Sequence, residues 1–285
     1  MQTKEEKITN LLSGKTFSDE NFPVASFLMK KKIRDFVRTF YFFARMADDI
    51  ADHEKLISSE KSKILNFFDE ILKLEKKTNV IVLNNLIDLC HQLPFGKKYS
   101  RNLLRAFLMD ANEKTYENWN DLIFYCTYSA NPVGRFVIDL VHQNENIQET
   151  KLKKIYNASD NLCTSLQIIN HIQDCKKDFQ NLKRVYIPNS FFKKFGLSNK
   201  ILHSNFSDAS FKNLIIELIE KVEIMLINSV KGLTMIKPWR LRKETLIILN
   251  IAKRLCYLLK KEDPLKKKVK LSRIDLIFCF IRGIM

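Results

Sequence analysis

The chain has 285 residues, 46% of them hydrophobic, and a formal net charge of +16. Its six glycines and six prolines are about 2% apiece, against the usual ~7% and ~5%, which argues against a sandwich or barrel of many short strands and for an all-α fold. The positive balance suits nucleic acid, an anionic membrane surface or an anionic substrate. No zinc-finger or RRM-like signature is present and lysines are scattered along the whole length, so nucleic acid is not expected as a partner.

The N-terminal stretch MQTKEEKITNLLSGKTF has no apolar h-region, so no signal peptide is expected. Helical spacing begins at 31–50, where Ile33, Phe36, Val37, Phe40, Tyr41, Ala44 and Ala47 recur three and four apart. It returns over 60–75, 79–92, 100–115, 120–142, 151–180, 209–232 and 243–261. Breaks are expected at LPFGKK (93–98), QNENIQET (143–150), RVYIPNSFFKKFGLSNK (184–200) and KEDPLKKK (261–268). Pro132, in SANPVG, should either kink the 120–142 helix and, with Ala130 and Gly134 beside it, open space there, or mark a plain junction between two helices. No repeat, linker or composition shift divides the chain, so one all-α domain over 1–285 is expected. No apolar run reaches 18 residues, so no spanning helix is expected. The six cysteines are dispersed without a C-x-x-C pair, as suits reduced thiols in the cytosol. Neither GxGxxG nor a P-loop occurs, so no nucleotide cofactor is expected.

Two acidic motifs stand out. In FYFFARMADDIADHE (40–54), Asp48 and Asp52 share a helix face, about 6 Å apart along the axis, and Asp49 points about 100° aside. Tyr41 and Arg45 continue the same stripe. In QIINHIQDCKKDFQNLKRVYIP (167–188), Asn170, Asp174 and Asp178 form a second stripe at four-residue spacing, on a face otherwise apolar. A polar stripe is costly to bury without partners. Taken alone, each motif reads as a solvated face pairing with lysine. Taken together, they present hard oxygen donors suited to several Mg²⁺ ions around a diphosphate. Loss of diphosphate from an allylic or cyclopropylmethyl carbon leaves a carbocation, and 21 Phe and 8 Tyr can line a pocket that excludes water and offers ring faces to it.

ARMADDIAD and NHIQDCKKDFQNLKRVYIP resemble the squalene/phytoene synthase family of head-to-head isoprenoid synthases, over nearly the whole chain. FPVAS (22–26), YSANPVGR (128–135) and DPLKKKVKLSR (263–273) resemble more narrowly its hydroxysqualene synthase branch, from bacterial hopanoid biosynthesis. The resemblance implies an all-α isoprenoid synthase fold with a central cavity. It implies Asp48, Asp52, Asn170, Asp174 and Asp178 as Mg²⁺ ligands. Tyr41 and Arg45 would contact diphosphate, with Arg184, Tyr186 and Ser26 as helpers, and Gln167 would line the cavity. Tyr41, Arg45, Asp48, Asp52 and Asp174 are the implied catalytic set. Many condensing members carry Arg before the middle Asp of the second motif. Gln173 stands there in this chain, which fits an enzyme handling one diphosphate at a time. His171, about 100° from Asn170, is expected to be structural.

The implied reaction converts presqualene diphosphate to hydroxysqualene by diphosphate loss and water capture, with a presqualene diphosphate synthase as pathway partner. The alternative is condensation of two prenyl diphosphates to phytoene, dehydrosqualene or squalene; a non-catalytic assembly-factor relative would have shed motif aspartates that this chain keeps. At the C-terminus, Lys266, Lys267, Lys268, Lys270 and Arg273 precede a stripe of Ile274, Ile277, Phe278, Ile281 and Met285. Two outcomes are open for it: packing on the domain to close the cavity, or peripheral association with an anionic membrane, which would put a cytoplasmic protein on the inner face. A reach of Lys268 toward the diphosphate is a further expectation.

Overall fold

The computed structural model describes residues 31–284. Among them there are helices and no strand, as the glycine and proline counts require. The helices are α1 (Lys31–Asp52), α2 (Ser58–Leu74), α3 (Ile81–Gln92), α4 (Pro94–Ala111), α5 (Trp119–Ser129), α6 (Asn131–His142), α7 (Glu149–Leu182), α8 (Asn189–Lys194), α9 (Ala209–Leu233), α10 (Trp239–Lys261) and α11 (Arg273–Ile284), with a 3-10 turn at Asn199–His203. They cluster into two compact units, and the chain passes between them after Lys114, inside α6 between Gly134 and Arg135, and after Asn146.

The first unit holds α1 to α4 and the end of α6. α4 lies against α1 and α2, and α3 against α1. The apolar spacing of α1 buries Val37, Phe40, Phe43, Met46, Ala47 and Ile50. Phe40 stacks on Phe136 of α6, ring centroids 4.2 Å apart at an interplanar angle of 6°. The expected break at 93–98 shrinks to Leu93 alone. Pro94 sits in the first turn of α4, where its missing N–H is not needed and its fixed φ suits the helix.

The second unit is built on α7, 34 residues long, or about 51 Å of helix. α9 packs along it, α10 along α9 and α7, and α11 along α10. Gly232 lets α9 approach: a Cβ there would lie 2.4 Å from the Ala158 Cβ and 2.5 Å from the Lys154 carbonyl oxygen. Asp208 caps α9, accepting from the Phe211 N–H at 2.7 Å.

Pro132 does not kink a continuous helix. The chain breaks at Ala130 and restarts as α6, with Pro132 in the tolerated first turn. Nor is the space beside Gly134 open. A Cβ there would meet Ser159 Oγ at 2.3 Å and Cys163 Sγ at 2.6 Å, so α7 fills it.

Candidate active site

The first acidic motif ends α1. Arg45 Nε donates to Asp49 Oδ1 at 2.9 Å, and Nη2 reaches Asp49 Oδ1 at 2.8 Å and Asp48 Oδ2. The three carboxyl-bearing positions therefore do different jobs. The Asp49 side chain is 5% exposed and grips Arg45; that of Asp48 is 33% exposed. Asp52, one turn further, is partly buried. Sequence reasoning set Asp49 aside for its angle, yet it stands four residues after Arg45, a spacing that brings side chains together. Tyr41, one turn before Arg45, meets Phe42 edge-on at 5.9 Å.

The second motif lies near the middle of α7. Asp174 Oδ2 accepts from Lys268 Nζ at 2.6 Å. His171 Nδ1 stands 4.0 Å from Asp178 Oδ2, and His171 Nε2 meets Gln167 Nε2 at 3.1 Å. The His171 ring stacks on Tyr186, centroids 3.5 Å apart. Tyr125 and Tyr116 complete this aromatic cluster around Tyr186, at 5.5 and 5.9 Å. His171 is thus part of the motif's surroundings. Its spacings of four from Gln167 and seven from Asp178 carried that signal. Asn170 is partly buried, and Arg184, buried, donates its backbone N–H to the Asp178 carbonyl at 3.1 Å. Ser26 lies outside the described residues.

Residues 262–272 form a strap along α7. Asp263 anchors its start, accepting from the Ser207 N–H at 2.7 Å and hydroxyl at 2.5 Å. Burial raises the Asp263 pKa, but those bonds and the N–H groups of Leu265 and Lys266 outweigh it and hold the carboxyl below its ordinary range. Lys176 Nζ reaches the Leu265 carbonyl at 3.2 Å. Gln173, 3% exposed, donates to the Val269 carbonyl. Gln173 is therefore turned under the strap. A cation stands beside the middle Asp after all, supplied by Lys268 from 94 residues down the chain. That long-range return was invisible in the local motif.

Among the described residues no group of three His, Cys, Asp or Glu is poised to hold a metal ion. Mg²⁺ commonly takes one or two carboxylates and completes its shell with water and substrate phosphates. Asp48, Asp52, Asn170, Asp174 and Asp178 supply only hard oxygen donors, each at least partly accessible. The donor set fits that habit.

An all-α chain with oxygen-bearing stripes on two helices, each beside a cation, has the make-up of an isoprenoid diphosphate enzyme. The sequence model for squalene/phytoene synthase matches residues 16–275. The chain is 38% identical over 261 residues to a hydroxysqualene synthase of Sinorhizobium fredii, covering 91% of this chain and 86% of that one. It is 36% identical over 271 residues to another of Rhodopseudomonas palustris, covering 94% and 89%. A phytoene synthase of Arabidopsis thaliana is 21% identical over 216 residues, or 75% of this chain and 51% of that one. The crystal structure of a dehydrosqualene synthase superposes with a TM-score of 0.76 at 20% identity, over 98% of this chain and 95% of that one. The fold is the isoprenoid synthase fold, and the chain belongs to the squalene/phytoene synthase family.

Proposed function

We propose that this enzyme converts presqualene diphosphate and water to hydroxysqualene and inorganic diphosphate. The observation that carries the reading is the gap in identity: 35 to 38% to hydroxysqualene synthases against 21 to 22% to the plant phytoene synthases. The cyclopropylcarbinyl cation left by diphosphate loss rearranges, and water captures it.

Asp48 and Asp52 on α1, and Asn170, Asp174 and Asp178 on α7, would hold Mg²⁺. The ions would neutralise diphosphate charge as it leaves. Arg45, oriented by Asp49, would bind diphosphate oxygens; its donors point as a fork suited to them. Lys268 would do the same once Asp174 engages a metal. Tyr41, Arg184, Tyr186 and Ser26 would assist there, and Gln167 would line the pocket. The ring faces around Tyr186 would lie near developing positive charge.

A second reading, condensation of two prenyl diphosphates, is favoured by the cation that Lys268 returns beside Asp174. Incubation of the pure enzyme with presqualene diphosphate and, separately, farnesyl diphosphate decides between them. Conversion of farnesyl diphosphate alone to a C30 product, without a partner enzyme, would overturn the first reading.

No helix among the described residues is long and apolar enough to cross a membrane. A C30 alcohol partitions into lipid. A peripheral place on an anionic membrane, at the inner face if the protein is cytoplasmic, fits this product, and a presqualene diphosphate synthase fits as the supplier of substrate.

A further inference from the structure

α11 is built inside out. A helix on the surface of a protein in water turns its apolar side inward. Here the inward stripe is Asp275, Cys279 and Gly283. Asp275 Oδ1 accepts from Arg254 Nε of α10 at 2.6 Å. Gly283 lies so close to α10 that a Cβ would meet the Ile247 Cγ1 at 2.4 Å and its backbone at 2.7 Å. These contacts fix the roll of the helix. At 100° per residue the remaining arc, about 200° wide from Leu276 round to Phe278, carries the bulky apolar residues. Seven of them are exposed: Ile274 70%, Leu276 43%, Ile277 59%, Phe278 69%, Phe280 39%, Ile281 49% and Ile284 44%. Of the stripe expected from the sequence, Ile274, Ile277, Phe278 and Ile281 therefore do not pack on the fold, and Met285 lies outside the described residues. Patches of this kind mark surfaces that meet something other than water.

Charge indicates what that is. Lys266, Lys267, Lys268 and Lys270 of the strap and Arg273 and Arg282 of α11 are all exposed, and Asp275 is the one carboxylate in the segment 266–284. A two-fold pairing of this face with a second copy would set the same cations against themselves. An anionic lipid surface complements both features, because phosphate groups meet the cations and acyl chains take the side chains.

We infer that α11 is an interfacial docking helix, seated apolar side down on an anionic bilayer, with Lys266, Lys267, Lys270 and Arg273 at the lipid phosphates. This deepens the membrane placement proposed above and rests on it, not on the reaction. The docking helix begins five residues after Lys268, which meets Asp174. The surface that meets lipid and the second motif are thus joined by one short strap.

The test uses the full chain without substrate. It is sedimented with vesicles of phosphatidylcholine alone, or with roughly one-third phosphatidylglycerol, at low and high salt. Binding is expected on the anionic vesicles at low salt, falling with salt. Ile277→Glu/Phe278→Glu should bind at least about tenfold more weakly with unchanged helicity and melting temperature. Lys266→Gln/Lys267→Gln/Lys270→Gln should flatten the salt dependence. Equal recovery in the supernatant under all four conditions would overturn the inference. So would a dimer that Ile277→Glu/Phe278→Glu dissociates, or strong hydrogen-exchange protection of the 273–284 amides and no vesicle binding. Failure here would leave hydroxysqualene formation in detergent untouched, and failure of that reaction would leave vesicle binding untouched.

Discussion

Replacing Asp49 by alanine should separate holding Arg45 from binding metal. The substitution removes an acceptor for Arg45 Nε at 2.9 Å and an acceptor for Nη2 at 2.8 Å. Hydrogen bonds to charged groups each contribute roughly 1.5–3 kcal/mol, and breaking a buried ion pair costs about 3–5 kcal/mol. Asp48 still faces Nη2, and the Arg45 side chain keeps 15% exposure, so water and Asp48 recover part of the loss. A net cost of about 2–3 kcal/mol follows. Asp48→Asn, with a side chain 33% exposed and an acceptor oxygen retained, should change stability by less than about 1 kcal/mol. Urea unfolding followed by far-UV circular dichroism reads both. Activity should fall in both variants, in Asp49→Ala because Arg45 loses its orientation. Unchanged midpoints for Asp49→Ala, or equal destabilisation by Asp48→Asn, would refute the division of labour.

Asp48→Asn and Asp174→Asn should each lower turnover at least about a hundredfold with the helical fold intact, and EDTA should abolish activity in the parent enzyme; full turnover in either variant or in EDTA would remove the metal from the account. Gly232→Ala should lower the melting temperature, because overpacking costs about 1–3 kcal/mol and exceeds the gain of about 1 kcal/mol in helix propensity. An unchanged or raised value would mean that α9 and α7 do not cross so closely. Burial pushes the Cys175 and Cys256 thiols up to about 12. Raised thiol values leave the neutral, unreactive form at physiological pH, so iodoacetamide should label neither in the native protein near pH 8 and both after unfolding. Rapid native labelling would contradict their burial.

The helical class and most helix bounds were legible because apolar spacing of three and four survives over long stretches of this chain. α7 was expected over 151–180 and occupies Glu149–Leu182. What escaped were local exceptions with physical causes. Pro94 opens a helix where LPFGKK promised a loop, since proline suits a first turn. The gap pictured beside Gly134 is closed by Ser159 and Cys163, because a missing side chain invites a neighbouring helix. The polar stripes were readable from four-residue spacing. Their partners were readable only when they lay on the same helix, as Asp49 does. Lys268 stands 94 residues from Asp174, and no periodicity links them. The apolar stripe of α11 was readable as well, but the direction it faces depends on Gly283 meeting Ile247, a contact between two helices.

The central claim is that water captures a cation derived from presqualene diphosphate. The direct measurement is a single incubation of the pure enzyme with presqualene diphosphate and Mg²⁺ in ¹⁸O-labelled water, without a reductant, followed by mass spectrometry of the extracted C30 product. One labelled hydroxyl per molecule of hydroxysqualene, with inorganic diphosphate released in equal amount, is the expected result. A C30 hydrocarbon without oxygen, or no turnover of presqualene diphosphate beside ready consumption of farnesyl diphosphate, would contradict it.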